Sequence, residues 1–141
     1  MGAFVDFITN NILLIVVAFL SGAMLLWPAL RRSAGGPSIS ANEATQLINR
    51  EHAVLLDVRE QDEFDRGHVP QAKHVPLEKL AADPSLAGKK DKPVILMCAT
   101  GARSAKAAIA LRKAGYEKVY NLDGGLNGWT TAGLPTVKSA A

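Results

Sequence analysis

The sequence predicts an α/β domain with a mostly parallel sheet flanked by helices, preceded by one amino-terminal transmembrane helix. Two observations carry this prediction. Residues 7–30 contain no charged side chain and are overwhelmingly apolar. In the 109 residues after Arg32, short apolar runs alternate with helical patterns, which is typical of parallel sheets. That length is enough for one domain with its own core and too short for two.

The apolar segment 12–30 has the length of a membrane span. A helix of its 19 residues rises about 28 Å, close to the ~30 Å hydrocarbon core of a bilayer. A cleaved secretory signal would need a basic leader, a shorter apolar core and a small-residue cleavage site, and none of these is clear. A buried core helix would show a polar stripe. We therefore expect residues 1–32 to form a membrane anchor.

The charges that flank the span predict its direction. Arg31 and Arg32 follow it directly, whereas only Asp6 precedes it. Because positive flanks favour the cytoplasmic side, we expect a single-pass protein of a bacterial inner membrane, with the domain in the cytoplasm. Residues 33–38 have the composition of a flexible linker with a reach of about 13 Å. The expected domain then covers 39–137, followed by a tail over 138–141.

The domain is predicted to begin with a capped helix. Ser40 and Glu43 have the spacing of a capping box, which opens an amphipathic helix up to about Arg50. The apolar run 53–58 is typical of a parallel strand buried on both faces. The further predicted elements are an acidic helix over 61–66, a small edge strand over 74–77, a buried strand over 93–98, an alanine-rich helix over 102–114, a strand over 118–122 and a last short helix with Trp129.

Composition excludes several classes of function. The net charge of +3 divides into +1 over residues 1–32 and +2 over the rest, with acids and bases interspersed, so no nucleic-acid interface is expected. The single cysteine excludes an internal disulfide framework. Together with three scattered histidines it cannot build a thiolate zinc cluster, so no metal site is expected.

The single thiol, Cys98, stands at the carboxyl end of a predicted strand, where parallel α/β folds bind ligands. A helix begins just after it, and the N–H groups and dipole of a helix start lower the pKa of a thiol. Gly101 allows the loop to curl so that several amides face one anion, and Arg103 adds a charged fork. A cysteine that only closes a buried strand is the alternative. The combination of strand, Cys, Gly, Arg and helix favours a reactive site.

Several short motifs follow one another in an order that is typical of one enzyme family. They are LDVRE at 56–60 with EF at 63–64, GHVP at 67–70, CATGAR at 98–103 followed by Ser104, and LDGG at 122–125 with GW at 128–129. In this order they resemble the single-domain rhodaneses, the thiosulfate sulfurtransferase-like family, over about residues 38–136. One departure is Gln71, where the family usually has Gly, and there we expect a local change in a turn.

The resemblance implies a reaction at Cys98. The thiol would take a sulfane sulfur from a small anionic donor such as thiosulfate or from a persulfide donor, carry it as a persulfide and pass it to a thiol or cyanide, without cofactor or metal. Arg103 would bind the donor's sulfonate. Related cradles of phosphatases and arsenate reductases have five residues between Cys and Arg, whereas this loop has four, a length that the family associates with sulfur. The amides expected to hold the persulfide are those of Ala99, Thr100, Gly101 and Ala102.

Other polar residues of these motifs are expected to have structural roles. Asp57 and Arg59 are predicted to pair and to fix the strand end to the helix of Glu63. Ser104 is expected to support the loop. His68 is interpreted as a hydrogen-bonded structural histidine and not as a general base.

Two non-enzymatic functions stay open at this point. One is a membrane-tethered scaffold that binds an unidentified protein partner. Such versions of the fold often lose the cysteine, whereas this chain has Cys98, Gly101 and Arg103. The other is a persulfide carrier or sensor without significant turnover.

Overall fold

The computed structural model describes residues 1–34, 36–99 and 101–139. The chain divides into two compact units, Met1–Arg31 and Arg32–Ala141. Helix α1 (Gly2–Asn10) lies in the first unit, and helix α2 (Ile12–Ala34) begins there. Among the described residues, the stretch Ile12–Leu30 of α2 is the one candidate membrane span, with a mean hydropathy of 2.4 and no buried residue.

The second unit contains a five-stranded parallel sheet, which confirms the predicted fold class. Its strands are β1 (Ser38–Ile39), β2 (Val54–Asp57), β3 (Lys73–His74), β4 (Val94–Met97) and β5 (Val119–Leu122). Their order in the sheet is β1-β5-β4-β2-β3. Strand β4 therefore lies at the centre, so that the residue after it emerges in the middle of the carboxyl edge of the sheet.

Helices cover both faces of this sheet. The helices are α3 (Ala41–Glu51), α4 (Gln61–Arg66), α5 (Leu77–Ala82), α6 (Ala102–Lys113) and α7 (Gly125–Thr131), with a 3-10 turn at Pro84–Ala87. Successive side chains of β4 point to opposite faces. Leu96 and Cys98 accordingly pack with α5 and α6, whereas Ile95 and Met97 pack with α3 and with Trp129 of α7.

The predicted capping box at the start of α3 is present. The Glu43 N–H donates to Ser40 Oγ over 3.2 Å, and the Ser40 N–H donates to a Glu43 carboxylate oxygen over 2.7 Å. These bonds satisfy amide groups that have no partner within the helix, and they hold the pKa of the Glu43 carboxyl below its usual range. The helix start is therefore encoded locally.

Several predicted boundaries differ from the structure. The edge strand is Lys73–His74 and not 74–77, and Pro76 instead caps α5, a helix that was not predicted. Ser38 was expected in the linker but pairs with β5 as part of β1. Helix α2 continues to Ala34, into the expected linker. Ser139, expected in the tail, donates its N–H to Asp65 O over 3.1 Å.

Candidate active site

Cys98 follows β4 directly and is only 1% exposed. Its Sγ accepts a hydrogen bond from the Gly101 N–H over 2.9 Å. Gly101 has φ +105°, a left-handed conformation that other residues rarely adopt. The next residue begins α6, a helix of 12 residues, so the sulfur lies at a helix amino terminus where the backbone favours negative charge. The structure thus places the thiol beside Gly101, just before α6 begins at Ala102.

Ala99 and Thr100 are the other loop residues whose amides are predicted to hold the persulfide. Ala99 follows the thiol, and its carbonyl oxygen lies 2.8 Å from the position that a Cβ on Gly125 of α7 would take. Thr100 lies outside the described residues. The binding roles of Ala99 and Thr100 stay predictions.

A buried polar network supports the loop from the neighbouring strand. Ser104, which is fully buried, has its Oγ 3.6 Å from Cys98 Sγ. Its hydroxyl also lies within hydrogen-bond distance of Asn121 Oδ1 and, at 3.1 Å, of Gly101 O. The Asn121 amide donates to Gly101 O over 3.4 Å. Ser104 thus lies between the thiol and the carbonyl group of Gly101, and its supporting role stays a prediction.

Asn121 itself was not predicted as a site residue. It is 7% exposed and belongs to β5, beside the central strand. Its signal in the sequence is a single amide within an otherwise apolar buried strand, because a buried polar side chain requires hydrogen-bond partners.

The start of α7 forms a second, unpredicted part of the site. The Leu126 N–H donates to Cys98 O over 2.8 Å. Gly125 has φ +55°, and a Cβ there would lie 2.0 Å from Cys98 O and 2.8 Å from Ala99 O. Only glycine permits this approach of two backbones. In the sequence, this close approach is indicated by the second glycine of the LDGG motif.

Arg103 forms a bidentate ion pair with Glu63 of α4. The distances are 2.6 Å from Nη1 to Oε2 and 2.8 Å from Nη2 to Oε1, and each side chain is about one-third exposed, at 35% and 32%. The hydrogen bonds from Arg103 lower the pKa of the Glu63 carboxyl to about 2. The pair with Glu63 chiefly raises the pKa of Arg103, and the charges of Cys98 and Glu60 raise it further.

This pair modifies the prediction for the loop arginine. Arg103 was expected to bind the donor's sulfonate, but in the structure the two Nη atoms contact a carboxylate. Glu63 was quoted as part of a motif and not as a site residue. The residues adjacent to Glu63 in the sequence do not indicate that it lies beside the loop, because Glu63 and Arg103 are 40 residues apart in the chain.

The pair of Asp57 and Arg59 is buried and present as predicted. Arg59 Nη2 lies 2.7 Å from Asp57 Oδ2, and Asp57 is fully buried. The same Nη2 donates to Gly67 O over 2.7 Å, just after α4. The pair thus fixes the end of β2 to the segment after α4, although Glu63 itself contacts Arg103.

The histidine of the GHVP motif is held in place by its surroundings. His68 Nδ1 lies 2.9 Å from Phe64 O, and its ring stacks on Phe64 with a centroid distance of 3.8 Å. His74 stacks on the same ring at 4.4 Å, and its Nε2 lies 2.8 Å from Arg59 O. These contacts agree with a structural role for His68.

A parallel α/β domain with a cysteine loop between its central strand and a helix is a recognisable class of protein. Comparison with known proteins shows which family of this class the chain belongs to. The chain belongs to the rhodanese-like domain family, whose model matches residues 40–132. This confirms the family that the sequence motifs indicate.

Two curated proteins illustrate the similarity of this chain to other members of the family. The chain is 38% identical to the uncharacterized protein YibN of Escherichia coli K12 over 102 residues, which is 71% of each chain. It is 36% identical over 91 residues to the thiosulfate sulfurtransferase GlpE of Coxiella burnetii, covering 64% of this chain and 84% of that one.

Solved structures of rhodanese-like proteins have the same fold as this chain. The rhodanese-like domain of the Alr3790 protein from Anabaena sp. superposes with a TM-score of 0.66 at 28% identity, covering 73% of this chain and 80% of that one. A thiosulfate sulfurtransferase from Pseudomonas aeruginosa also gives 0.66 at 33% identity, covering 74% of this chain and 21% of that one.

Proposed function

We propose that this protein is a membrane-anchored sulfurtransferase that moves a sulfane sulfur through a persulfide on Cys98. The observation that carries the proposal is the environment of the thiol. Its Sγ accepts the Gly101 N–H over 2.9 Å at the amino terminus of α6. A donor amide and a helix terminus both favour a thiolate, which is the nucleophilic form. The relatives named thiosulfate sulfurtransferase support the same chemistry.

In the first half-reaction the Cys98 thiolate attacks the outer sulfur of thiosulfate. A bond forms between Sγ and that sulfur as the bond to the sulfonate sulfur breaks, and sulfite leaves with the electron pair. Arg103 would contact the sulfonate oxygens and stabilise the departing sulfite. The loop amides, including that of Gly101, would hold the negative charge of the persulfide.

In the second half-reaction a nucleophilic acceptor attacks the outer sulfur of the persulfide. With cyanide the products are thiocyanate and the regenerated Cys98 thiolate; with a thiolate they are a new persulfide and the same regenerated enzyme. Because the donor product leaves before the acceptor reacts, we expect ping-pong kinetics. The burial of Cys98, which is 1% exposed, favours substrates that present a terminal sulfur or a small nucleophile.

The membrane location is the second part of the proposal. It is supported by the stretch Ile12–Leu30, which is long and apolar enough to span a bilayer. Arg31 and Arg32 after this stretch favour a cytoplasmic domain. A small membrane-impermeant thiol reagent should then label Cys98 in inside-out vesicles of a bacterial inner membrane and not in right-side-out vesicles. Labelling from the outer side would overturn this orientation.

A steady-state assay with thiosulfate and cyanide tests the sulfurtransferase. The full chain in detergent should form thiocyanate, and Cys98→Ser should abolish this activity while circular dichroism shows an unchanged fold, because the two side chains are nearly isosteric. Activity that persists in Cys98→Ser would contradict the proposal. A parent protein that loads sulfur onto Cys98 without turnover would instead be a carrier, and one that does neither would be a scaffold.

A further inference from the structure

Arg103 is the cationic side chain of the cysteine loop, and a carboxylate already binds it. Glu63 accepts one hydrogen bond from each Nη atom, over 2.6 Å and 2.8 Å. In this bidentate geometry the carboxylate occupies the same edge of the guanidinium that would bind two oxygens of a sulfonate. An oxyanionic donor must therefore either displace Glu63 or bind another edge of a guanidinium whose charge is already neutralised.

Glu63 weakens the attraction of Arg103 for an oxyanionic donor, and other charges near this guanidinium do not restore it. The Cys98 sulfur and Glu60 also act on Arg103, and both are negative when ionised. Arg59, the other arginine close to Glu63, is committed to Asp57 in a buried pair. A dianion such as thiosulfate approaches this loop against two carboxylates and the thiolate.

The Glu63 carboxylate is held in this position by its own helix. Its Oε2 also accepts the Glu60 N–H over 3.1 Å, which forms the capping box at the start of α4. An exposed ion pair contributes little to stability by itself. The Glu63 carboxylate is fixed beside the loop because it accepts hydrogen bonds both from the Glu60 N–H and from Arg103. Its main effect is therefore on the charge of the loop and not on the stability of the fold.

We propose that Glu63 is a donor-specificity residue, which disfavours dianionic thiosulfate and favours persulfide donors of the class R–S–SH. The proposal rests on the sulfurtransferase function proposed above and specifies its substrate class. A persulfide carries its transferable sulfur without a sulfonate, so its transfer does not require the edge of Arg103 that Glu63 covers.

The transfer from such a donor balances without a further reactant. The Cys98 thiolate attacks the outer sulfur of R–S–SH and forms a bond from Sγ to that sulfur. The bond between the two donor sulfurs breaks, and R–S⁻ leaves with the electron pair. The outer sulfur keeps its hydrogen, so the enzyme becomes Cys98–S–SH and the donor becomes a thiolate.

The test compares Glu63→Gln with Asp62→Asn. Glutamine retains one oxygen that can accept from the Glu60 N–H and from Arg103 Nη1, whereas it removes the charge and replaces the oxygen that accepts from Nη2 with an NH2 group. Asp62 is the preceding residue of α4, is exposed and has no side-chain hydrogen bond or ion pair with the described part of the chain, so Asp62→Asn removes the same charge from the same helix. The full chain is assayed with cyanide as acceptor and with either thiosulfate or cysteine persulfide as donor.

We expect Glu63→Gln to raise kcat/KM for thiosulfate about tenfold, chiefly through KM, because one screened charge is removed close to a dianion. The value for cysteine persulfide should change less than about twofold, and Asp62→Asn should leave both donors within about twofold of the parent. Unchanged or weaker use of thiosulfate by Glu63→Gln would overturn the proposal, as would an equal gain for both donors.

A binding measurement separates this inference from the proposed function. In the Cys98→Ser background, where no sulfur transfer occurs, calorimetry should show that Glu63→Gln binds thiosulfate about tenfold more tightly than the background protein. Equal affinity would overturn the role of Glu63 even if the enzyme is active. If Cys98 accepts sulfur from neither donor, the proposed function fails, whereas the calorimetric result still decides whether Glu63 restricts oxyanion binding.

Discussion

Replacing Gly125 by alanine should distort the cysteine loop from outside it. The new Cβ would lie 2.0 Å from Cys98 O and 2.8 Å from Ala99 O, so the start of α7 and the loop backbone must separate. This separation would weaken the hydrogen bond from the Leu126 N–H to Cys98 O, now 2.8 Å long. The residue at this position would also keep a left-handed φ of +55°.

The size of the effect follows from these two contributions. A non-glycine residue in the left-handed conformation costs about 1–2 kcal/mol. Overpacking against atoms that must move costs a further ~1–3 kcal/mol. We therefore expect Gly125→Ala to lower the free energy of unfolding by about 2–5 kcal/mol. Gly133→Ala is the matched control, because Gly133 has φ +77° with nothing within 4 Å of its Cβ position.

Urea unfolding of the full chain in detergent gives both free energies, and thiosulfate:cyanide turnover reports the loop. The control should lose only the conformational part, about 1–2 kcal/mol, and keep its activity. Gly125→Ala should lose more stability than the control and most of its turnover. If Gly125→Ala is as stable and as active as Gly133→Ala, the close approach of α7 to the loop does not position the thiol.

Three further predictions concern the polar groups of the site. Arg103→Ala should raise KM for thiosulfate, because it removes the guanidinium of the loop and leaves the Glu63 carboxylate unpaired beside the donor, a change worth at most about 1.5–3 kcal/mol, while Cys98 still reacts with small alkylating reagents; unchanged thiosulfate kinetics would remove Arg103 from the site. Because the pKa of Glu63 is lowered from 4.5 to about 2, its stabilisation is complete above pH 4.5 and disappears as the pH falls towards 2. Glu63→Gln should therefore show a shallower loss of stability over that interval in acid titrations, by less than about 1 kcal/mol because solvent screens the pair, and an acid limb identical to the parent's would contradict this. Ser104→Ala should lower the free energy of unfolding in urea by about 1–3 kcal/mol, because buried Asn121 Oδ1 loses its donor, and parent-like stability would refute the network.

Local sequence signals predicted most of the architecture. The capping box of Ser40 and Glu43 specifies a helix start from residues within one turn. The apolar run around β4 indicates a central strand because both of its faces are buried. The short strand β1 could not be predicted in the same way, since its two residues are held by backbone pairing with β5 and not by a side-chain pattern.

In the site, too, residues within one loop were predicted from the sequence, whereas residues that reach the loop from other elements were not. Cys98 and Gly101 lie in one loop, so their spacing alone predicts a thiol beside a curled backbone at a helix start. Glu63, Asn121 and Gly125 reach this loop from other elements of the fold. Their positions depend on how α4, β5 and α7 pack around β4, which a spacing of residues along the chain does not encode.

The most direct test of the central claim is the mass of the intact protein after treatment with a sulfur donor. The full chain, incubated with thiosulfate or cysteine persulfide and then desalted, should gain the mass of one sulfur atom on Cys98. Addition of cyanide should remove that mass and release an equal amount of thiocyanate. A protein that gains no sulfur from either donor, or that gains it equally in the Cys98→Ser variant, would contradict a persulfide on this thiol.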